Sequence, residues 1–304
     1  MIYTLTFSPS LDYYLNVPHF KEGAINRSTS EKYVAGGKGI NVSLILKQLG
    51  YESITLGFIA GFTGDELERL LIKKGIHTDF VKTEGTTRIN VKLNSIKESA
   101  INANGPNITQ ANIAQLFSKL NRLQPGDILS IGGNVPNTLP KDIYLQIMKF
   151  LEKRQIKIIV DATGELLLST LKYHPFLIKP NQEELEELVK QKLQTPIEII
   201  SAAKHLIALG AQNIIISRGE EGAIMIDEKC HIYNKPATPG KMKSTVGAGD
   251  SLVGGFIAGY LKYGNFDDAL DLGIAAGSAT AFSNYISSKQ KILEIYNRIR
   301  KRKE

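Results

Sequence analysis

Short apolar runs alternate with segments of helical periodicity along most of the chain. Apolar runs of strand length occupy residues 2–7, 53–59, 128–132, 157–161, 176–178 and 213–217. Apolar residues recur at helical spacing in the segments between them, at residues 40–49, 65–74, 108–120, 141–154, 182–189 and 197–209. Repeated strand–helix units of this length predict an α/β fold with a central, mainly parallel sheet that is flanked by helices.

Two segments do not follow this alternation. Residues 12–34 begin with a strand pattern, and within residues 87–102 apolar and polar side chains alternate from residue 89 to residue 94. A period of two predicts a half-buried antiparallel strand. We expect the two segments to form a small second sheet on a single domain of residues 1–304, where it would serve as a lid or as a dimer surface.

Length and composition narrow the class of protein. A chain of 304 residues with 42% hydrophobic residues can bury a sizeable core. Its apolar runs all fall short of the roughly 20 residues of a membrane span, and its first residues do not resemble a signal peptide. Cys230 is the only cysteine, which excludes a disulfide within the chain. We therefore expect a cytoplasmic protein that does not bind membranes.

The basic character of the chain does not by itself indicate nucleic-acid binding. The formal net charge is +7, and the one basic cluster lies at the C-terminus, at Arg298, Arg300, Lys301, Arg302 and Lys303. Such a terminal cluster is typical of a solvated helix end. A nucleic-acid interface would require a basic face with interleaved aromatic residues or a known module, and the sequence offers neither. A mild positive balance also suits anionic substrates.

The sequence Gly247-Ala248-Gly249-Asp250 directly precedes a segment of helical periodicity. A bare glycine turn at a helix N-terminus is an anion site, because the free N–H groups and the helix dipole both favour negative charge. Asp250 would be misplaced beside a static anion, but it fits a phosphoryl group in transfer, where a carboxylate takes a proton from the attacking hydroxyl. The alternative is an ordinary loop, with Asp250 as a carboxylate of the first helical turn.

A second glycine-rich stretch, residues 36–41, combines three glycines with Lys38 and Asn41. Lys38 supplies positive charge, and the amide of Asn41 can both donate and accept hydrogen bonds. The stretch is not a Walker A loop, because Gly39 stands where serine or threonine is required. It is not a dinucleotide fingerprint either, because its glycine spacing differs.

Two further motifs allow two interpretations each. Asn181 and Glu184 have the spacing of a helix capping box, and they could also hold a hydrated magnesium ion near nucleotide phosphates. The strand end with Ser217, Gly219 and Gly222 predicts either a tight hairpin turn or a nucleotide contact.

Taken together and in this order, these motifs resemble those of the PfkB (ribokinase-like) sugar kinases over essentially the whole chain. The two glycine motifs, at residues 36–41 and 247–250, are similar to the two signatures of that family. The resemblance implies a ribokinase-like fold with a β lid, built here from about 12–34 and 87–102. It also implies ATP as the phosphoryl donor, Mg²⁺ as the cofactor, and a homodimer through the lid.

The resemblance also implies roles for individual residues. Asp250 would be the catalytic base, and Gly247, Ala248 and Gly249 would form an anion hole. The substrate residues would be Asp12, Gly37, Lys38, Asn41, Arg88, Asn134 and, from the lid, Arg27; Lys38 and Arg88 would hold the phosphate that the substrate already carries. The ATP residues would be Lys179, Asn181, Ser217, Gly219, Gly222, Thr280 and Ser283. Glu184 would orient the hydrated magnesium ion.

The implied reaction is transfer of the γ-phosphoryl group of MgATP to the 6-hydroxyl of fructose 1-phosphate. The stretches 36–43, 87–93 and 101–106 are most similar to the enzymes that catalyse this reaction. Tagatose 6-phosphate and fructose 6-phosphate are the alternative substrates, and a non-catalytic sugar-phosphate sensor is the alternative from another class. Ala100 stands where the family usually carries a glutamate.

Overall fold

The computed structural model describes residues 1–301 and shows fourteen strands and ten α-helices in this part of the chain. The strands are β1 (Ile2–Thr6), β2 (Ser10–Asn16), β3 (Ser30–Gly36), β4 (Ile54–Ala60), β5 (His77–Thr78), β6 (Val81–Thr83), β7 (Arg88–Asn94), β8 (Ser99–Asn102), β9 (Ile128–Gly132), β10 (Lys157–Asp161), β11 (Leu177–Ile178), β12 (Ile214–Ser217), β13 (Ala223–Ile226) and β14 (Ile232–Lys235). The helices are α1 (Lys38–Gln48), α2 (Gly61–Lys73), α3 (Gln110–Leu120), α4 (Ile143–Leu151), α5 (Gly164–Leu168), α6 (Gln182–Val189), α7 (Pro196–Ala208), α8 (Ala248–Tyr263), α9 (Phe266–Ala281) and α10 (Lys289–Arg300). Arg302 and Lys303 of the basic cluster lie outside the described residues.

The main sheet has ten strands in the order β14-β13-β12-β11-β10-β9-β1-β4-β5, with β6 paired to β4. Every pair is parallel except β12–β13 and β13–β14. All six predicted strands lie in this sheet, and each predicted helix is present, α6 with the predicted bounds and the others with shifted ends. The predicted α/β fold is therefore confirmed.

The core lies on both faces of the main sheet. Along β10, Ile158 and Val160 pack on one side, and Ile159 packs on the other. Two-sided burial explains why the central strands read as continuous apolar runs. Helix α8 is buried from Asp250 to Gly259, so packing along its length fixes the position of its N-terminus.

The small sheet consists of β3, β2, β7 and β8 in that order. Strand β7 is antiparallel to β8, as its alternating pattern predicts, but it is parallel to β2. Because side chains alternate along a strand, Asp12, Tyr14, Arg88, Asn90 and Lys32 share one face of this sheet. Among the residues that the structure describes, no helix is both long enough and apolar enough to cross a membrane.

Candidate active site

The two glycine motifs meet at Asp250. This residue lies in the first turn of α8 and is 7% exposed. Its Oδ2 atom accepts a hydrogen bond of 2.8 Å from Nδ2 of Asn41, which lies in the first turn of α1. Burial raises the pKa of Asp250 to about 6, and the negative charge of Asp161 adds to this effect. The carboxylate is therefore both oriented and more basic than an ordinary aspartate.

Backbone geometry keeps the N-terminus of α8 open. Gly247 is the N-cap residue, with a φ of 77° that side chains other than glycine rarely adopt, and no side chain caps the helix. A Cβ atom at Gly247 would lie 2.7 Å from Cδ1 of Ile286, and one at Gly249 would lie 3.3 Å from Nζ of Lys179. The N-terminus of this sixteen-residue helix thus lies beside a space that a lysine borders, with the N–H group of Ala248 bonded to the carbonyl oxygen of Thr245 at 3.3 Å.

Asp161 holds two lysines at this site. Its Oδ1 atom lies 3.1 Å from Nζ of Lys38 and 3.4 Å from Nζ of Lys179. Burial alone would raise the pKa of Asp161, but the ammonium groups of Lys179 and Lys38 outweigh burial and lower it. The sequence showed Asp161 at the carboxyl end of a strand without giving it a role. A buried carboxylate at that edge of a parallel sheet was the only available signal.

The small sheet contributes a second group of polar residues. The Oδ1 atom of Asp12 accepts hydrogen bonds from Oγ of Ser10 at 2.7 Å and from Nδ2 of Asn90 at 3.0 Å. Within the described residues, Nε of Arg88 is buried without a hydrogen-bond partner. Burial lowers the pKa of Arg88, and the charge of Asp12 partly offsets this. A half-buried guanidinium with an unpaired N–H group is suited to an anionic ligand.

Lys38 and Arg88 have different carboxylate neighbours. Lys38 extends from α1 to Asp161, and its charge acts on Asp250, whereas Arg88 lies in the small sheet, where the charge of Asp12 acts on it. The shared phosphate contact that the resemblance implies for Lys38 and Arg88 stays a prediction. Asn90, which the sequence analysis did not select, lies opposite Asp12 in the paired strands.

The predicted capping box of α6 is present. Glu184 accepts a hydrogen bond of 2.8 Å from the backbone N–H of Asn181 through Oε2, and the side chain of Asn181 accepts one from the backbone of Glu184 at 2.7 Å. An isolated bridge joins Asn181 to Ser217 at the end of β12. These three polar residues therefore lie together at the carboxyl edge of the main sheet.

The remaining candidates have the following surroundings. Gly219 begins a 3₁₀ turn, and a Cβ atom at Gly222 would lie 2.0 Å from the carbonyl oxygen of Lys235, so that this hairpin position requires glycine. The hydroxyl of Thr280 bonds to Ser251 Oγ at 2.8 Å, and that of Ser283 donates to Ala279 at 2.8 Å. Asn134 and Arg27 are exposed, the former after β9 and the latter between β2 and β3; Gly37 has a φ of 132°.

The chain is similar in sequence and structure to named kinases of sugar phosphates. The chain is 40% identical over 301 residues to a 1-phosphofructokinase of Borreliella burgdorferi (99% of this chain, 98% of that protein), and 37% identical over 293 residues to a D-tagatose-1-phosphate kinase of Bacillus licheniformis (96% of each). A solved structure of the tetrameric inhibited form of phosphofructokinase-2 from Escherichia coli has a TM-score of 0.91, at 30% identity over 98% of this chain and 99% of that one.

A family match agrees with these relatives and with the geometry of the site. Residues 8–291 match the pfkB family of carbohydrate kinases, a span that includes both glycine motifs, the small sheet and the capping box. With a buried carboxylate, an open helix N-terminus and two lysines brought together, the chain has the groups that phosphoryl transfer needs. It is a carbohydrate kinase of the pfkB family.

Proposed function

We propose that the chain transfers the γ-phosphoryl group of MgATP to the 6-hydroxyl of fructose 1-phosphate, giving fructose 1,6-bisphosphate and ADP. The observation that carries the proposal is the buried carboxylate of Asp250 in the first turn of α8, beside an uncapped helix N-terminus and two lysines. The 1-phosphofructokinase at 40% identity supports the choice of sugar. ATP and sugar phosphates are kept inside cells, so a cytoplasmic location is part of the proposal.

Asp250 is proposed as the general base. One carboxylate oxygen takes the proton of the 6-hydroxyl as that oxygen forms its bond to the γ-phosphorus, and the bond from the γ-phosphorus to the oxygen that bridges to the β-phosphate breaks. With a pKa of about 6, the carboxylate is mostly ionised at neutral pH and is a stronger base than an exposed aspartate. Asn41 holds the other oxygen and so fixes the direction of the proton transfer.

The helix N-terminus is proposed to stabilise the charge on the transferred group. Burial of α8 fixes the backbone N–H groups of Gly247 and Gly249, whereas the N–H group of Ala248 donates to the carbonyl oxygen of Thr245 at 3.3 Å and would have to leave it to bind the transferred group. Lys38 and Lys179 add positive charge on either side of Asp161. Lys38 is assigned here to the transferred phosphoryl group on the basis of its contact with Asp161.

Arg88 and Asp12 are proposed to recognise the sugar phosphate. The unpaired N–H group of Arg88 suits the phosphate on C1, and Oδ2 of Asp12 remains to accept a sugar hydroxyl, because Ser10 and Asn90 both bond to Oδ1. We also propose supporting contacts from the flanking residues Gly37, Asn134 and Arg27. The nucleotide would lie along the carboxyl edge of the main sheet, near Lys179, Asn181, Ser217, Gly219, Gly222, Thr280 and Ser283.

Glu184 is proposed to orient the hydration shell of Mg²⁺. Two carboxylates, Asp250 and Asp161, balance the two lysines of the reaction centre, so these four groups leave no excess positive charge for a triphosphate. Mg²⁺, when bound, would neutralise charge on the phosphates. Oε2 of Glu184 caps α6, which leaves Oε1 to accept a hydrogen bond from a water molecule that would coordinate the ion.

Replacing Glu184 by glutamine separates its two proposed roles. Glutamine keeps an oxygen for the capping box but removes the charge. We expect the Mg²⁺ concentration for half-maximal rate to rise about 10-fold, with an unchanged melting temperature. Glu183→Gln, at an exposed neighbouring position, is the control. An unchanged Mg²⁺ dependence in Glu184→Gln would show that Glu184 only caps α6 and does not orient the hydrated ion.

A tagatose phosphate is the second candidate substrate, and the D-tagatose-1-phosphate kinase at 37% identity is the observation in its favour. The sugar in that relative's name carries its phosphate on C1, as fructose 1-phosphate does, so Arg88 would bind the phosphate of either sugar. The alternatives predicted from the sequence, tagatose 6-phosphate and fructose 6-phosphate, instead carry the phosphate at the opposite end of the sugar. A non-catalytic sensor would have no use for a carboxylate held with a raised pKa.

Product analysis tests the proposal. The chain is incubated with MgATP and fructose 1-phosphate, and the product is identified by ³¹P NMR. We expect a second phosphomonoester resonance that couples to the two C6 protons, and no product from 6-deoxyfructose 1-phosphate. Phosphorylation of the 6-deoxy compound, or no transfer to fructose 1-phosphate, would contradict the proposal.

We also propose a homodimer through the small sheet. Its outer face is apolar: Tyr13 and Tyr33 stack with ring centres 4.4 Å apart, and Ile101 is 68% exposed. An apolar sheet face on a small four-stranded sheet is typical of an interface. Light scattering after size exclusion should show a dimer for the native chain and a monomer for Ile101→Lys. Ile232→Lys, on β14 at the far edge of the main sheet, should remain dimeric.

A further inference from the structure

One aromatic residue of the main body contacts the inner face of the small sheet. The ring of Tyr285, in the segment after α9, meets the ring of Tyr14 edge to face, with ring centres 5.1 Å apart. Nζ of Lys32 lies 4.0 Å from the centre of the same Tyr285 ring. Tyr14 and Lys32 are opposite one another in the β2–β3 pair. Tyr285 is thus in contact with two strands of the small sheet.

The same segment also supports the residues that lead into the helix N-terminus of α8. The carbonyl oxygen of Ala281 accepts hydrogen bonds from the N–H groups of Lys243 at 2.8 Å and Ser244 at 3.2 Å. Next to Tyr285, the side chain of Ile286 packs on Gly247, where a Cβ atom would lie 2.7 Å from its Cδ1. A short chain of contacts therefore runs from the small sheet to the first residue of the proposed anion hole.

We infer that Tyr285 is a positioning residue that couples the small sheet to the anion hole. The inference rests on the proposed function, because it assumes that the small sheet covers the sugar phosphate. When the small sheet lies against the main body, Tyr14 and Lys32 contact Tyr285, and Ile286 packs on Gly247. When the sheet moves away, this support is lost. Edge-to-face ring pairs and cation–π contacts are strong enough to shift such an equilibrium measurably.

The coupling has a chemical use. A kinase must keep its donor from reacting with water before the acceptor is bound, and closure of a lid that completes the site achieves this. In this chain the site would be completed through Tyr285, because the anion hole is fully supported only when the small sheet is closed. Removing the ring should therefore affect the nucleotide side of the site, although Tyr14 and Lys32 lie on the sugar side.

Hydrogen–deuterium exchange without any substrate tests the contact itself. In the full-length Tyr14→Ala variant, we expect backbone amides of residues 240–250 to exchange about 5-fold faster, although the substitution lies in the small sheet. The Tyr285→Phe variant keeps the ring and should exchange like the native chain. Faster exchange in the small sheet alone, with residues 240–250 unchanged, would overturn the inference.

Calorimetric binding of the unreactive analogue β,γ-methylene-ATP tests the coupling. In the native chain, we expect fructose 1-phosphate to tighten binding of the analogue at least about 5-fold. In Tyr285→Ala, we expect a gain of less than about 2-fold. In turnover assays with ATP, this variant should lose more in kcat than in KM. If Tyr285→Ala does not fold, Tyr285→Leu replaces it. An equal gain in both chains would overturn the inference. If fructose 1-phosphate does not tighten binding of the analogue in the native chain, but Tyr14→Ala does exchange faster at residues 240–250, the result would instead count against fructose 1-phosphate as the substrate.

Discussion

Asp250→Asn is expected to lose nearly all turnover while keeping the fold. Asparagine has the same shape and can still accept the hydrogen bond of Asn41, but it cannot take a proton from the sugar hydroxyl. Loss of a general base typically lowers kcat by about 10²–10⁴-fold. Steady-state ADP release with saturating sugar phosphate measures the effect. Asp142→Asn, an exposed carboxylate at the start of α4, is the matched control and should be unaffected.

The pH dependence gives this prediction a second test. Because the pKa of Asp250 is raised to about 6, kcat of the native chain should fall as the pH is lowered through 6. The folded pKa lies above the ordinary value of 3.8, so ionised Asp250 makes a folded chain less stable at neutral pH. Asp250→Asn should therefore melt at a higher temperature than the native chain at pH 8, and this gain should disappear below pH 4. A variant with near-normal kcat would remove Asp250 from the mechanism.

Asp161→Asn is expected to have the next largest effect, on both stability and rate. The substitution leaves the ammonium groups of Lys38 and Lys179 without the carboxylate that they share. Breaking a buried ion pair from one side costs about 3–5 kcal/mol of the free energy of unfolding. The pKa of Asp161 is lowered in the folded chain, so the stability it contributes is present above its ordinary value of 3.8 and is lost at more acidic pH.

The same substitution should change the pH profile of the reaction. Burial and the charge of Asp161 both raise the pKa of Asp250, and without Asp161 only burial would oppose the two lysines. We expect the pH at which kcat is half-maximal to fall below 6 in Asp161→Asn, and kcat/KM to drop. Chemical denaturation at pH 7 and rate measurements from pH 5 to 8 provide the data. An unchanged pH midpoint would show that Asp161 does not act on the base.

Much of the main sheet could be predicted because its strands carry the pattern of two-sided burial. The run Lys157–Asp161, for example, is apolar on both faces and can only be an interior strand. The parallel pairing of β2 with β7 could not be predicted, because residues 16 and 88 are far apart in sequence and an alternating pattern does not select a partner. The tight hairpin turn that Ser217, Gly219 and Gly222 predict joins β12 to the antiparallel strand β13, but β14 was not predicted, because it has only four residues.

The site, like the fold, could be predicted from the sequence only in part. Each glycine motif by itself allowed more than one interpretation. The contact between Asn41 and Asp250 joins residues 209 positions apart, and local spacing gives no information on it. The resemblance implied a role for each of the two residues, but it did not predict that they are in contact. The role of Asp161 could not be predicted, because an aspartate at the end of a strand is common. Only its contacts with two lysines make it distinctive. The Tyr14–Tyr285 contact depends on tertiary packing alone.

Substrate preference is decided by kcat/KM for MgATP-dependent ADP release with four acceptors: fructose 1-phosphate, tagatose 1-phosphate, fructose 6-phosphate and unphosphorylated fructose. We expect the highest value for fructose 1-phosphate, a lower one for its C4 epimer tagatose 1-phosphate, and little activity on the free sugar, which has no phosphate for Arg88 to bind. A preference for free fructose, or no turnover with any of the four, would contradict the proposed function.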